Sequence, residues 1–233
     1  MQAIILAGGL GTRLRQVVAD VPKPMAPIQG EPFLAHLLQY LKRQGITRVI
    51  FPIHYMGETI RAYFQSQYAG MEIFYAQEES PLGTGGAMVN ALPLLRDAHE
   101  PVFILNGDTF LKLDYQAMYE QHEAEKSVLT MALRSVEDCA RYGKVMTNGR
   151  YIAAFREKGE AGPGLINAGV YLIHPGLFTP FELPSSFSFE HDFLLPHLNQ
   201  LKPRAFVAND YFIDIGIPED YARAVSELPA LET

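Results

Sequence analysis

Short apolar runs alternate with amphipathic segments through the first half of the chain, a rhythm that predicts strands and helices in turn. Ala3 to Ala7 reads as a strand. Phe33 to Gln44 reads as a helix, with Leu34, Leu37, Leu38 and Leu41 spaced to share one face and Gly45 where a helix stop belongs. Arg48 to Ile53 is the next strand, Glu58 to Gln67 the next helix and Glu72 to Ala76 a third strand. Thr84 to Leu95 reads as a helix whose ends carry Gly85, Gly86 and Pro93. Val102 to Leu105 is a buried-looking strand that runs into Asn106-Gly107-Asp108; Tyr115 to Glu125 is helical and Val128 to Leu133 a strand. This order predicts an α/β fold: a mostly parallel central sheet with helices on both faces and right-handed crossovers.

The second half is less regular. Gly143 to Met146, Ile152 to Phe155 and Ala168 to Ile173 read as strands, and Phe189 to Leu201 and Glu219 to Leu228 as helices. No Ser/Gly-rich linker or repeat separates the halves, so the second is expected to extend the same sheet within a single domain, residues 1–233.

Composition narrows the function. With 233 residues and 48% apolar content the chain can bury a core without disulfide or metal staples. A net charge of −7 argues against a broad nucleic-acid surface. A small polyanion is different: Arg13, Arg15 and Lys23 lie close together, offset only by Asp20. The opening residues lack a basic region before their apolar run and read as a first strand; no run of about eighteen apolar residues suggests a membrane span. The lone Cys139 reads as a structural thiol and fits a reducing cytoplasm. His36 and His54 are isolated, and His191 and His197 lack a spacing suited to joint metal ligation.

The first strand ends in Gly8-Gly9-Leu10-Gly11-Thr12-Arg13-Leu14. Glycines after a strand let backbone N–H groups approach phosphate oxygens, and an arginine adds a planar donor fork. Lys23 follows, held between Pro22 and Pro24. Two common nucleotide loops are excluded. A dinucleotide fingerprint starting at Gly9 would need a small residue where Leu14 stands, and no Gly-Lys-Ser/Thr follows for a P-loop.

These residues, Leu6 to Leu14 with Pro22-Lys23-Pro24, resemble the signature of sugar-nucleotide pyrophosphorylases. The likeness continues in order through Pro81-Leu82-Gly83-Thr84-Gly85-Gly86, Asn106-Gly107-Asp108, Glu157-Lys158, Asn167-Ala168-Gly169 and Asp214-Ile215-Gly216-Ile217-Pro218-Glu219. Finer details resemble the bacterial branch that uses GTP with D-glycero-α-D-manno-heptose 1-phosphate. They are Arg15-Gln16-Val17-Val18, Ser186-Phe187-Ser188-Phe189-Glu190 and the run Tyr211 to Pro218. One departure is Gln16, where many relatives carry proline; it bears on the loop's geometry.

The resemblance implies a Rossmann-like, nucleotide-diphospho-sugar transferase-like fold, with residues 1–135 binding nucleotide and 136–233 binding sugar phosphate. It implies Mg²⁺ as cofactor on Asp108 and Asp214, with GTP and a sugar 1-phosphate as partners. Each of these aspartates follows a β-like apolar run, and ligands of open α/β sheets collect at strand carboxyl ends. Arg13, Lys23 and Asp108 are then the catalytic set. Leu6, Ala7, Gly8, Gly9, Gly11, Thr12, Arg13, Lys23, Gln77, Gly83 and Thr84 are implied to bind nucleotide. Gly107, Asp108, Gly143, Glu157, Lys158, Asn167 and Asp214 are implied on the sugar-phosphate side. The attacking phosphate oxygen is largely ionised at neutral pH, so the site needs cations and positioning and no Ser-His-Asp machinery. Mannose 1-phosphate with GTP and N-acetylmuramate 1-phosphate with UTP stay open as substrate pairs. A binding subunit that lost catalysis is a further alternative, against which the intact Arg13, Lys23, Asp108, Lys158 and Asp214 argue.

Overall fold

The protein is seen here as a computed structural model that describes residues 1–8, 21–54 and 56–231. Its elements run β1 (Gln2–Leu6), β2 (Pro27–Ile28), β3 (Glu31–Pro32), α1 (Phe33–Arg43), β4 (Arg48–Ile53), α2 (Gly57–Phe64), β5 (Gln67–Tyr68) and β6 (Met71–Gln77). There follow α3 (Gly83–Ala91), β7 (Val102–Asn106), β8 (Thr109–Leu111), α4 (Tyr115–Ala124) and β9 (Leu129–Val136). The chain ends through β10 (Val145–Asn148), β11 (Tyr151–Phe155), β12 (Gly164–Ile173), α5 (Leu198–Leu201), β13 (Arg204–Ala208), β14 (Phe212–Asp214) and α6 (Pro218–Glu227).

One twisted sheet joins both halves, in the order β10-β11-β13-β9-β12-β7-β1-β4-β6-β5. Strands β7, β1, β4 and β6 are parallel, as the alternation of the first half predicts. Strand β12 runs antiparallel to both β7 and β9, so the second half extends the sheet by reversing direction at β12. Strand β13 returns parallel to β9.

The alternation of side chains sorts the core into two layers. Ala3, Ile5, Phe51, Phe103 and Leu105 pack with Leu34, Leu37 and Leu38 of α1, Phe64 of α2 and Met118 of α4. Their strand neighbours Ile4, Ile50 and Ile104 point the other way, onto Met88 and Ala91 of α3 and onto Phe187, Phe189 and Phe193. Burial of each large apolar side chain contributes roughly 1.5–3 kcal/mol, so both faces of the sheet must be covered. Helix α1 stops where expected, with Gly45 at φ +84° just beyond it.

Four expectations need correction. The helix read over Glu58 to Gln67 ends at Phe64, because Gln65 turns to φ +53°. Gln67 begins β5, which pairs antiparallel with β6 through Ala69 and Gly70, both at positive φ as a tight hairpin requires. The helix read over Thr84 to Leu95 is α-helical only to Ala91, then tightens to a 3₁₀ turn over Leu92–Leu94 around Pro93. Phe189 to Leu201 is not one helix: a π-helical turn, Phe189–Leu194, is separated from α5 by Pro196, which lacks the N–H to continue. Strand β13 was not expected at all; its Arg-Ala-Phe-Val-Ala run leaves Val207 47% exposed and carries no clean alternation.

Candidate active site

The site forms at the carboxyl ends of the parallel strands. Leu6 pairs with Asn106 at the last rung between β1 and β7, and the Gly107 N–H donates to the Leu6 carbonyl at 2.9 Å. A Cβ on Gly107 would stand 3.0 Å from that carbonyl and 3.3 Å from Ala7 Cα, so a side chain there would push the two strand ends apart by a few tenths of an ångström. The turn through Gly107-Asp108 then enters β8, whose partner is β14: Thr109 faces Asp214, and Ile215 N–H donates to the Asp108 carbonyl at 3.1 Å. Phe110, Leu111, Ile213 and Ile215, all buried, anchor this small ribbon in the core. Two aspartates far apart in sequence thereby share one corner.

Lys23 completes the corner. It begins a 3₁₀ turn, Lys23–Met25, in which Pro24 and Met25 are buried and Met25 N–H returns to the Pro22 carbonyl at 2.7 Å. Its Nζ donates to Asp108 Oδ2 at 2.6 Å and to Asp214 Oδ1 at 3.2 Å. Burial first, and the Asp108 charge second, push the Asp214 carboxyl above its usual range, while Lys23 pulls it back. Two carboxylates facing one ammonium leave a surplus negative charge, so the corner suits a further cation. Gly216 stands over the pair: a Cβ there would be 3.0 Å from Asp214 Oδ1 and 3.3 Å from Lys23 Nζ.

The other sequence-read residues divide. Leu6, Ala7 and Gly8 lie at this edge, whereas Gly9, Gly11, Thr12 and Arg13, with Arg15 and Gln16, fall outside the described residues. Gly83 and Thr84 are exposed at the start of α3, and Gln77 is exposed at the end of β6. That loop packs tightly on the segment after Pro184. Gly85 N–H donates to Phe187 O at 3.0 Å, Phe187 N–H to Leu82 O at 2.9 Å, and Phe189 N–H to Thr84 Oγ1 at 2.8 Å. Cβ atoms at Gly83, Gly85 and Gly86 would fall within 2.5 Å of that segment, which explains the glycines sterically.

Glu157 and Lys158 sit exposed on the loop after β11. Gly143, at φ +79°, lies under this loop, where a Cβ would be 2.8 Å from the Arg156 carbonyl. Tyr142 beside it meets the Phe212 ring at 5.7 Å, which ties the loop to β14 and so to Asp214. Asn167 lies on β12 where its pairing with β9 breaks register. Two residues on, Gly169 at φ +70° abuts the Asn106 amide, next to Gly107-Asp108.

Sequence reasoning missed two site-edge residues. Asn167 Nδ2 donates to Tyr171 Oη and to Glu190 Oε1, both at 2.7 Å, and Tyr171 donates to the same Glu190 oxygen at 2.5 Å. Burial, then the Glu190 charge, holds the Tyr171 hydroxyl well above its usual range, so it remains a donor. Glu190 stands in a stretch quoted for its family likeness, but nothing local marks its partner. Cys139 is buried, with its thiol pushed up by that burial. The His122 ring pairs with Thr130 Oγ1 at 2.8 Å, and those of His54 and His197 meet backbone carbonyls.

The Nucleotidyl transferase family profile matches residues 2–230. The chain belongs to that family. It is 46% identical to the D-glycero-alpha-D-manno-heptose 1-phosphate guanylyltransferase of Aneurinibacillus thermoaerophilus, covering 98% of each chain. It is 44% identical to the Campylobacter jejuni protein of the same name, over 95% of this chain and 97% of that one. Among solved structures it resembles HddC from Yersinia pseudotuberculosis, with a TM-score of 0.87 at 38% identity over 97% of this chain and 98% of that one. The same protein complexed with GMP-PN superposes with a TM-score of 0.84 at 37% identity, with the same coverage.

Proposed function

We propose that this chain transfers a guanylyl group from GTP to D-glycero-α-D-manno-heptose 1-phosphate, releasing pyrophosphate and giving GDP-heptose. The observation that carries the reading is the convergence of Lys23, Asp108 and Asp214 beside Leu6 to Gly8. Near-full-length likeness to two heptose 1-phosphate guanylyltransferases supports the choice of substrates.

Asp108 and Asp214 are the residues that would hold Mg²⁺. Their hard oxygens already converge on one cationic atom, and that donor set fits the ion. Among the described residues no group of three or more His, Cys, Asp or Glu converges, so phosphate oxygens and water would fill the remaining positions. Bound there, Mg²⁺ supplies charge stabilisation for the transferring phosphate. Residues 1–135 act on the nucleotide: backbone N–H groups of Leu6, Ala7, Gly8, Gly9, Gly11 and Thr12 would approach phosphates, Arg13 and Lys23 would neutralise the triphosphate and departing pyrophosphate, and Gln77, Gly83 and Thr84 would meet the nucleoside. Residues 136–233 act on the sugar: Lys158 takes its phosphate, while Glu157 and Asn167 face its hydroxyls. The sugar's phosphate oxygen attacks the α-phosphorus already ionised, so the protein holds two polyanions in line and abstracts no proton. We read the setting as cytoplasmic, with the product feeding a surface polysaccharide; the single cysteine, Cys139, supports a reducing compartment.

The test is pyrophosphate release by the purified protein with Mg²⁺, pairing GTP, UTP, dTTP and CTP with heptose, mannose and N-acetylmuramate 1-phosphates. The expected best pair is GTP with the heptose. A preference for mannose 1-phosphate would retire the sugar, and a preference for UTP the base as well. No release with any pair would favour a binding subunit.

A further inference from the structure

We propose that Glu190 is the acceptor that reads a sugar hydroxyl, and that Asn167 and Tyr171 hold it in place for that task. This rests on reading the site as one for a sugar 1-phosphate, and it adds a specificity-determining residue to that site. An asparagine amide has two N–H donors. Both are occupied in Asn167, one by Tyr171 Oη and one by Glu190 Oε1, and its Oδ1 receives the Gly169 N–H at 3.0 Å. Tyr171 closes the ring by donating to Glu190 Oε1. Asn167 therefore keeps a single lone pair for any ligand. Glu190 keeps a whole oxygen: Oε2 bonds to none of the described residues, and the side chain is partly exposed.

A carboxylate pinned through one oxygen and open through the other is an acceptor whose orientation is set before the ligand arrives. Its location fits the role. On one side the cluster reaches Asn106-Gly107-Asp108 through Gly169. On the other, Phe189, the residue before Glu190, is bonded to Thr84 in the loop read as facing the nucleoside. Glu190 thus lies between the nucleotide loop and the aspartate corner. The backbone there winds as a π turn, with Leu195 N–H reaching back five residues to the Glu190 carbonyl at 3.0 Å; such single turns occur frequently at functional sites. Charge decides the ligand group. A carboxylate repels phosphate but takes short, charge-assisted bonds from hydroxyls, so Glu190 faces the polyol end of the substrate and leaves the phosphate to the lysines.

The test is steady-state kinetics on the full chain, with whichever triphosphate and sugar 1-phosphate the unaltered enzyme uses best. Glu190→Gln is expected to raise KM for the sugar phosphate about tenfold while KM for the triphosphate stays within about twofold. Tyr171→Phe, which removes one of the two bonds that pin the carboxylate, is expected to raise it about threefold. Monodeoxy analogues of the sugar phosphate give the sharper readout. The unaltered enzyme should lose about tenfold in kcat/KM on the analogue lacking the recognised hydroxyl, and Glu190→Gln should lose nothing further on that analogue. Equal rises in both KM values, or an undiminished deoxy penalty in Glu190→Gln, overturn the proposal. Should Glu190→Gln not fold, the same deoxy penalty is read in Tyr171→Phe, where it must shrink. A wrong substrate pair would show in the unaltered enzyme alone, so its failure is separate from this one.

Discussion

Lys23→Met removes the ammonium that Asp108 and Asp214 share while keeping an apolar stem of similar length. Exposed ion pairs contribute about 0–1 kcal/mol, and breaking a fully buried one costs about 3–5 kcal/mol. Here the lysine side chain is 11% exposed but the carboxylates are 34% and 30% exposed, so water screens the acid side of both contacts. The loss should fall between the limits, at about 1–2 kcal/mol. In a chain of this size each kcal/mol moves Tm by about 2–4 °C, so the variant should melt about 2–8 °C lower without divalent cation. Millimolar Mg²⁺ should then restore part of the loss, because the bare carboxylates gain more from a divalent ion than the compensated pair does. The unaltered protein should respond less. Thermal unfolding across a Mg²⁺ series, with and without GTP, measures both effects. Turnover should fall by about 100-fold or more, since charge on the triphosphate loses a fixed cation. A variant that melts with the unaltered protein and shows the same Mg²⁺ response would refute the view that this ammonium compensates the aspartate corner.

Asp108→Asn should keep the fold, seen as an unchanged circular dichroism spectrum, and lose roughly two to three orders of magnitude in kcat; normal turnover at saturating Mg²⁺ would remove Asp108 from the reaction. Lys158→Ala should raise KM for the sugar phosphate about tenfold and spare KM for GTP, whereas Arg13→Ala should damage turnover more than sugar-phosphate affinity. Equal effects of both variants on both substrates would show that the two phosphate roles are misassigned. Burial, and to a lesser degree His174, depresses the His122 pKa to about 4 from 6.5. The unfolded chain therefore binds that proton first, and stability present above pH 6.5 should be lost as pH falls toward 4, by on the order of 3 kcal/mol. His122→Gln should flatten that part of the denaturation curve, and an unchanged slope would exclude His122 as its source.

The regular elements of the first half were legible because their information is local. Apolar spacing gives α1 its face, Gly45 gives it an end, and the buried runs of β1, β4 and β7 need no partner to be read as strands. The placement of Asp108 and Asp214 was legible for a related reason: each follows an apolar run, and the fold sets each at or just past a strand end. Other features depend on pairing that no window of sequence contains. The reversal at β12, the strand β13 and the ribbon that sets Asp214 beside Asp108 arise from hydrogen bonds between distant segments. Lys23 reads in sequence as one cation between two prolines; only the fold seats it on both aspartates. Asn167 reads as a polar residue available to a sugar; tertiary packing occupies both of its amide N–H groups and leaves it one oxygen lone pair, while Glu190 keeps a whole open oxygen. A residue's chemistry is a property of its type, but which of its donors and acceptors remain free is decided by whatever the folded chain brings against it.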